Sequence, residues 1–353
     1  MTLEFSEFIS LLFQSPLYLI GTVVVVLAIF VGGWMDSAAT IVTVVSTRTL
    51  HRRWAVSMAA VSNFFGVLCI TVFNSQIINY LYSFIAFPQD QGLSRVVLLS
   101  SLITFLLWAP INWLLGVPAS ESHGIFSGLL GSVAALNMRE RLGSNPHALP
   151  MMVGFVLTPV LTGALTVIIL KILRRSLAPK ERGDWDPRLR ESHIFFLGGT
   201  SFIHGARNGQ KYVAALYLAL QGTVAASGVF VIPLWLMILV ALVLSFGTFV
   251  GSRRIVRNLG QRITKITLPM GIAIESASFI NLILGGILGV PMSTNQTKIS
   301  AIIAAGAEGG VKRVNWRKVV GIVLLWILSF PICWGLGYLL TKVFLAIGVG
   351  GAL

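Results

Sequence analysis

The chain is poor in charge. Of its 353 residues, 11% are Asp, Glu, Lys or Arg, against roughly 25% in a soluble protein. Acids are the scarcer sign, 12 against 26 bases. Cysteine is almost absent. Cys69 and Cys333 both lie in apolar runs, which excludes a disulfide framework or a cysteine metal site and leaves them as small core residues. The segment Met1 to Glu7 holds two acids and no base, so it lacks the basic start of a cleavable signal. No nucleophile–base constellation, metal cluster or nucleotide loop is found, which argues against an enzyme.

Hydrophobic sequence takes the place of all this, at 56% of the chain. A bilayer core needs about 20 apolar residues per helix. Candidate spans are 17–47, 54–85, 95–115, 119–136, 147–173, 191–224, 229–250, 266–288, 292–310 and 316–347. The expected fold is therefore all-α and polytopic, with about ten crossing segments. Residues 4–14 fit an extra interfacial helix.

A formal charge of +14 raises the question of nucleic acid, and the distribution of the bases answers it. Nineteen of the 26 Lys and Arg fall in four short connections, 48–53, 171–190, 253–265 and 312–318. This is the positive-inside pattern of cytoplasmic loops, and no nucleic-acid partner is implied. Placing 48–53 inside puts the other three there by successive crossings, and leaves Phe87 to Gly92 and both termini outside. Arg139 and Arg141 are the only contrary bases. The first half, 1–173, then runs opposite in sense to the second, 191–353, with 174–190 as a cytoplasmic linker. That is an inverted-topology repeat. The expected location is the cell membrane, bacterial and cytoplasmic, with lipid as the surrounding partner. A homodimer is as compatible with the sequence as a monomer, because lipid-facing and partner-facing helices look alike.

Each half contains a matching break. Gly116-Val117-Pro118-Ala119-Ser120 recurs 173 positions later as Gly289-Val290-Pro291-Met292-Ser293. Paired Gly/Pro interruptions of apolar segments mark the binding site of a repeat-built transporter. Pro favours a first helical turn, whose free N–H groups and positive dipole end attract anions. Ser120, Glu121, Ser122 and His123 follow the first break, and Ser293, Thr294, Asn295 and Gln296 the second. Hydroxyls there add donors for a tetrahedral oxyanion.

Charges inside apolar spans point the same way. Asp36, Glu121, Arg207, Lys211, Glu275 and Lys298 lie in or beside them, where a charge costs ~2.5–3.5 kcal/mol unless it faces a partner or a cavity. Asp36 in Gly32-Gly33-Trp34-Met35-Asp36 and Asn208 in His204-Gly205-Ala206-Arg207-Asn208-Gly209-Gln210-Lys211 are 172 positions apart. The flanking glycines permit local unwinding that would free backbone groups for an ion.

With these patches in view, the chain resembles the inorganic phosphate transporter (PiT) family. Asp36-Ser37-Ala38 with Thr43-Val44-Val45-Ser46-Thr47-Arg48, and His204-Gly205-Ala206 with Gly209-Gln210-Lys211, match the family's patch in the first span of each half. Pro118-Ala119-Ser120-Glu121-Ser122-His123 and Pro291-Met292-Ser293-Thr294-Asn295-Gln296 match its breaks. Trp108, Trp113, Gly271, Glu275 and Val314-Asn315-Trp316-Arg317 match further positions. The likeness covers roughly residues 20–345. It implies phosphate uptake coupled to sodium or protons, with no other cofactor. Substrate would be held by Ser120, Ser122, Ser293, Thr294, Asn295 and Arg207, and a cation, sodium in the family pattern, by Asp36 and Asn208. Glu121, His123, His204, Lys211, Glu275, Gln296 and Lys298 would support them. The chain departs from the family at Met35, where Asn is usual, and at Arg207-Asn208, where Asn-Asp is usual. Glu121 replaces a Ser or Thr, and Gln296 a His. These changes move the presumed site toward positive charge and imply fewer bound sodium ions. Arg207 either holds the anion or pairs with Asp36, Glu275 or Glu121. Sulfate is the nearest alternative substrate, and an anion channel the alternative of another class.

Overall fold

The structure, a computed structural model, describes residues 4–14, 16–73, 90–118, 120–137, 148–179, 181–221, 232–251, 253–287 and 293–348. Expectations resting on Phe87, on Arg139 and Arg141, and on Gly289 to Met292 lie outside the described residues.

The described elements are helical. In chain order they are α1 (Phe5–Gln14), α2 (Pro16–Ser46), α3 (Arg52–Phe73), α4 (Gln91–Leu115), α5 (Glu121–Ala135) and α6 (Ala148–Leu177). The second half holds α7 (Arg182–Gln221), α8 (Leu234–Val250), α9 (Arg253–Arg262), α10 (Leu268–Ile287), α11 (Thr294–Glu308) and α12 (Trp316–Ala346), with a 3-10 turn at Val311–Arg313. Among the described residues, five helices are long and apolar enough to cross a membrane, namely α2, α4, α6, α10 and α12; the bent pair α8 and α9 makes a sixth if counted as one span. Helices α5 and α11 have 15 residues each, about 22 Å of helix. That is short of a ~30 Å hydrocarbon core, so each starts or ends within it.

Burial is inverted relative to a water-soluble protein. Val156, Val160, Ile168 and Ile172 on α6 are exposed, while Asp36, Glu121, Arg207, Glu275 and Lys298 are buried. Apolar side chains outside and polar groups within are the pattern of a membrane protein.

The two halves interlock. Helix α2 packs against α8 of the other half, and α3 against α7. Glycines permit the approach. A Cβ on Gly33 would overlap the carbonyl oxygen of Leu244, and one on Gly247 that of Phe30. At the second crossing Gly205 meets the Asn63 carbonyl and Gly66 that of Phe202. Small residues that let backbones touch are the usual means of helix association in membranes. In the same way α5 packs on α12 and α11 on α6, each partner coming from the opposite half.

This overturns one expectation. Helix α2 runs unbroken through Gly32-Gly33 and Asp36, and α7 through Gly205 and Gly209. The glycines do not unwind these helices; they clear space for neighbouring ones. Within the linker expected at 174–190, α6 extends to Leu177 and α7 begins at Arg182.

Candidate functional site

The first break is built from local rules. Helix α4 ends on Gly116 at φ 70, with Gly116 N–H donating to the Trp113 carbonyl at 2.9 Å and Val117 N–H to that of Asn112 at 3.0 Å. This is the paired bonding of a Schellman motif, with Pro118 after it to stop the helix. Ser120 then caps α5, its hydroxyl accepting from His123 N–H at 3.3 Å. Ser293 caps α11 identically, accepting from Gln296 N–H at 3.3 Å.

The two caps meet. Ser120 donates its hydroxyl to Ser293 Oγ at 3.1 Å, both residues being buried. Two helix N-termini therefore converge on one point, which concentrates free N–H groups and positive dipole ends there. The first-span patches meet too. Asn208 Nδ2 donates to Asp36 Oδ2 at 3.0 Å. Residues that stood 173 and 172 positions apart in the sequence thus meet in pairs, one from each half.

Asp36 is the hub. Its Oδ1 accepts from Asn295 Nδ2 at 2.6 Å and its Oδ2 from Thr294 Oγ1 at 3.5 Å. His204 Nε2 lies 3.6 Å from Oδ2 and 3.1 Å from Asn208 Nδ2. Lys211 pairs with Glu121 Oε1 at 2.5 Å. Lys298 pairs with Glu275 Oε2 at 2.7 Å. Arg207 donates to the carbonyl oxygen of Leu282 at 3.1 Å. The structure thus pairs Asp36 with His204 and with amides, Glu121 with Lys211, and Glu275 with Lys298.

Other expected residues sit less centrally. His123 turns its ring toward α12, 3.1 Å from Ser329 Oγ and packed between Phe155 and Phe330. Gln296 contributes its backbone N–H to the Ser293 cap. Ser122 is buried on the first turn of α5. Sequence reasoning missed Thr200, whose hydroxyl donates to Glu275 Oε2 at 3.2 Å. It also missed Tyr212: a Cβ on Gly32 would overlap its hydroxyl and lie 2.7 Å from Glu121 Oε2. Helical period would have found Thr200, which shares a stripe with His204, Asn208 and Lys211. Thr43, another stripe partner of Asp36, donates to Glu275 Oε1.

A cleft of about 480 Å³ opens beside the first break, walled by Gly116 and Val117 and by Asn258, Arg262, Arg317 and Lys318. Helix α9 clamps this wall. Asn258 Nδ2 donates to the Gly116 carbonyl at 2.9 Å, and Arg254 donates to that of Leu114 while its guanidinium lies 5.5 Å from the Trp113 ring.

Comparison with known proteins places the chain in a family. A model described as "Phosphate transporter family" matches residues 32–192 and again 179–337. The chain belongs to the phosphate transporter family. The double match also shows that its two halves are copies of one unit. A family member from Bacillus subtilis (strain 168), a "Probable low-affinity inorganic phosphate transporter", is 26% identical over 314 residues, covering 87% of this chain and 91% of that protein. One of the same name from Rhizobium meliloti (strain 1021) is 29% identical over 317 residues, covering 89% and 92%. A solved structure titled "The sodium-dependent phosphate transporter" superposes with a TM-score of 0.79 at 19% identity, covering 94% of this chain and all of that one. This establishes a shared fold. The chain is a multi-pass, all-helical membrane protein of this family.

Proposed function

We propose that the chain carries inorganic phosphate across a bacterial cytoplasmic membrane by alternating access. The observation that carries this reading is the meeting of the Ser120 and Ser293 caps at two helix N-termini. Each hydroxyl already accepts an N–H bond from its own first turn. An oxyanion would take the place of the bond between them. It would receive hydroxyl donors from Ser120 and Ser293, with Ser122, Thr294 and Asn295 beside them, and N–H groups from both helix starts. Arg207, buried on α7, adds a permanent positive charge to the neighbourhood.

Access fits the same reading. The basic cleft ends on Gly116 and Val117, just ahead of the Ser120 cap. Its Arg262, Arg317 and Lys318 belong to segments that the charge pattern places in the cytoplasm. A concentration of bases at a mouth steers anions to it. The names of the relatives support phosphate as the cargo.

The test is uptake of radiolabelled phosphate and sulfate into proteoliposomes, with sodium and proton gradients imposed separately. Uphill accumulation of phosphate is expected. Sulfate accumulation without phosphate would move the reading to sulfate. Flux that only equilibrates the two sides would make the protein a channel.

A further inference from the structure

Glu275 sits in an oxygen-lined seat. It is fully buried on α10. The Thr43 hydroxyl of α2 donates to its Oε1, and the Thr200 hydroxyl of α7 to its Oε2 at 3.2 Å. A carboxylate flanked by two hydroxyls suits a hard cation, which prefers oxygen ligands. In this chain a cation is already built in. Lys298 Nζ lies 2.7 Å from Glu275 Oε2, with Lys298 only 3% exposed. Its position on α11 is otherwise unfavourable. It lies one turn beyond Thr294, near the positive end of the helix dipole, and a buried ammonium needs a partner. Glu275 supplies that partner.

The second glutamate repeats the arrangement. Lys211 Nζ of α7 lies 2.5 Å from Glu121 Oε1. Glu121 stands in the first turn of α5, directly after the Ser120 cap. Each anion-facing helix thus has one carboxylate–ammonium pair beside its start. A free sodium ion at either carboxylate would sit within a few ångströms of an ammonium it cannot displace, and like charges repel strongly in such a medium.

We propose that Lys298 and Lys211 are tethered counter-cations that occupy the cation positions beside this site, so that anion binding requires no sodium at Glu275 or Glu121. The proposal deepens the transporter reading and rests on it for uptake, though not for cation binding. The solved structure titled for sodium dependence shares the fold at 19% identity, which leaves the cation chemistry of this chain to its own residues.

The deciding experiment measures binding of radioactive sodium to the purified full chain, alongside phosphate uptake in sodium and in choline. The unmodified protein should bind no sodium that Glu275→Gln or Glu121→Gln removes, and any sodium held at Asp36 should survive both substitutions. Lys298→Met should open the seat formed by Glu275, Thr43 and Thr200. It should then bind sodium about ten-fold or more tightly than the unmodified protein. Adding Glu275→Gln should remove that gain, and Lys298→Arg should never show it. If Lys298→Met does not fold, Lys211→Met gives the same readout at Glu121. Saturable sodium binding to the unmodified protein that Glu275→Gln abolishes would overturn the proposal. So would a folded Lys298→Met that binds no sodium. Absence of any uptake with these binding results intact would refute the transporter reading and leave the tethered cations standing.

Discussion

The site turns on hydroxyls that cap helices and face one another. Ser120 and Ser293 each hold one N–H of their own helix and share a bond between them. Replacing either by Ala removes a donor and a cap together. Each substitution should weaken phosphate binding by about 0.5–1.5 kcal/mol, read as a rise in the uptake KM, and the double substitution should cost more than either single. An unchanged KM in the double variant would remove the serines from the site. These residues were legible because the break was duplicated, and because Ser after Pro has a known role at a helix start. Their partners were not all legible. Asp36 could be foreseen as central but not as the ligand of Asn295 and Asn208, since pairing across 259 and 172 positions depends on how the helices cross. The sequence leaves Asp36, Glu275 and Glu121 all open as partners for Arg207. The structure gives the two glutamates lysines instead, and nothing in the spacing of Lys211 or Lys298 announced this.

Among the elements, glycine has two uses that a sequence cannot separate. Gly116 takes φ 70 and ends α4, as a Gly-Val-Pro string suggests. Gly33 and Gly205 look equally like breaks, yet they lie inside unbroken helices and touch neighbouring carbonyls. Glycine permits a left-handed turn and also removes a Cβ, and only the helix opposite decides which matters. The two uses make different predictions. Gly205→Ala would drive a methyl into the Asn63 backbone and should lower stability by about 1–3 kcal/mol through overpacking, measured as a fall in thermal unfolding temperature in detergent. Gly116→Ala should strain the turn and push aside Asn258. Its effect should appear mainly in uptake, because α9 clamps the wall of the cleft and not the core of the bundle. If Gly116→Ala transports like the unmodified protein, that clamp has no part in the cycle.

For the molecule as a whole, the duplicated breaks made the repeat visible in the sequence, but not the way its copies are joined. Hydropathy marks spans and charge marks sides. Neither says that α2 lies against α8 and α3 against α7, because packing partners in lipid share the same apolar composition. The interlock is open to test. A chain divided between Leu177 and Arg182, where α6 ends and α7 begins, should yield transport only when both pieces are made together. Activity from one piece alone would contradict it.

The same interlock bears on ancestry. The glycine surfaces of α2 and α3 find their complements not in their own half but in helices of the other one. Two copies of such a half, inserted into a bilayer in opposing senses, would already bury one another's contact faces. A short gene encoding one half could therefore have built the carrier from identical subunits. Duplication and fusion would then have required no new surface. They would have freed the two copies to diverge, so that Lys298 could arise in one half and Glu121 in the other.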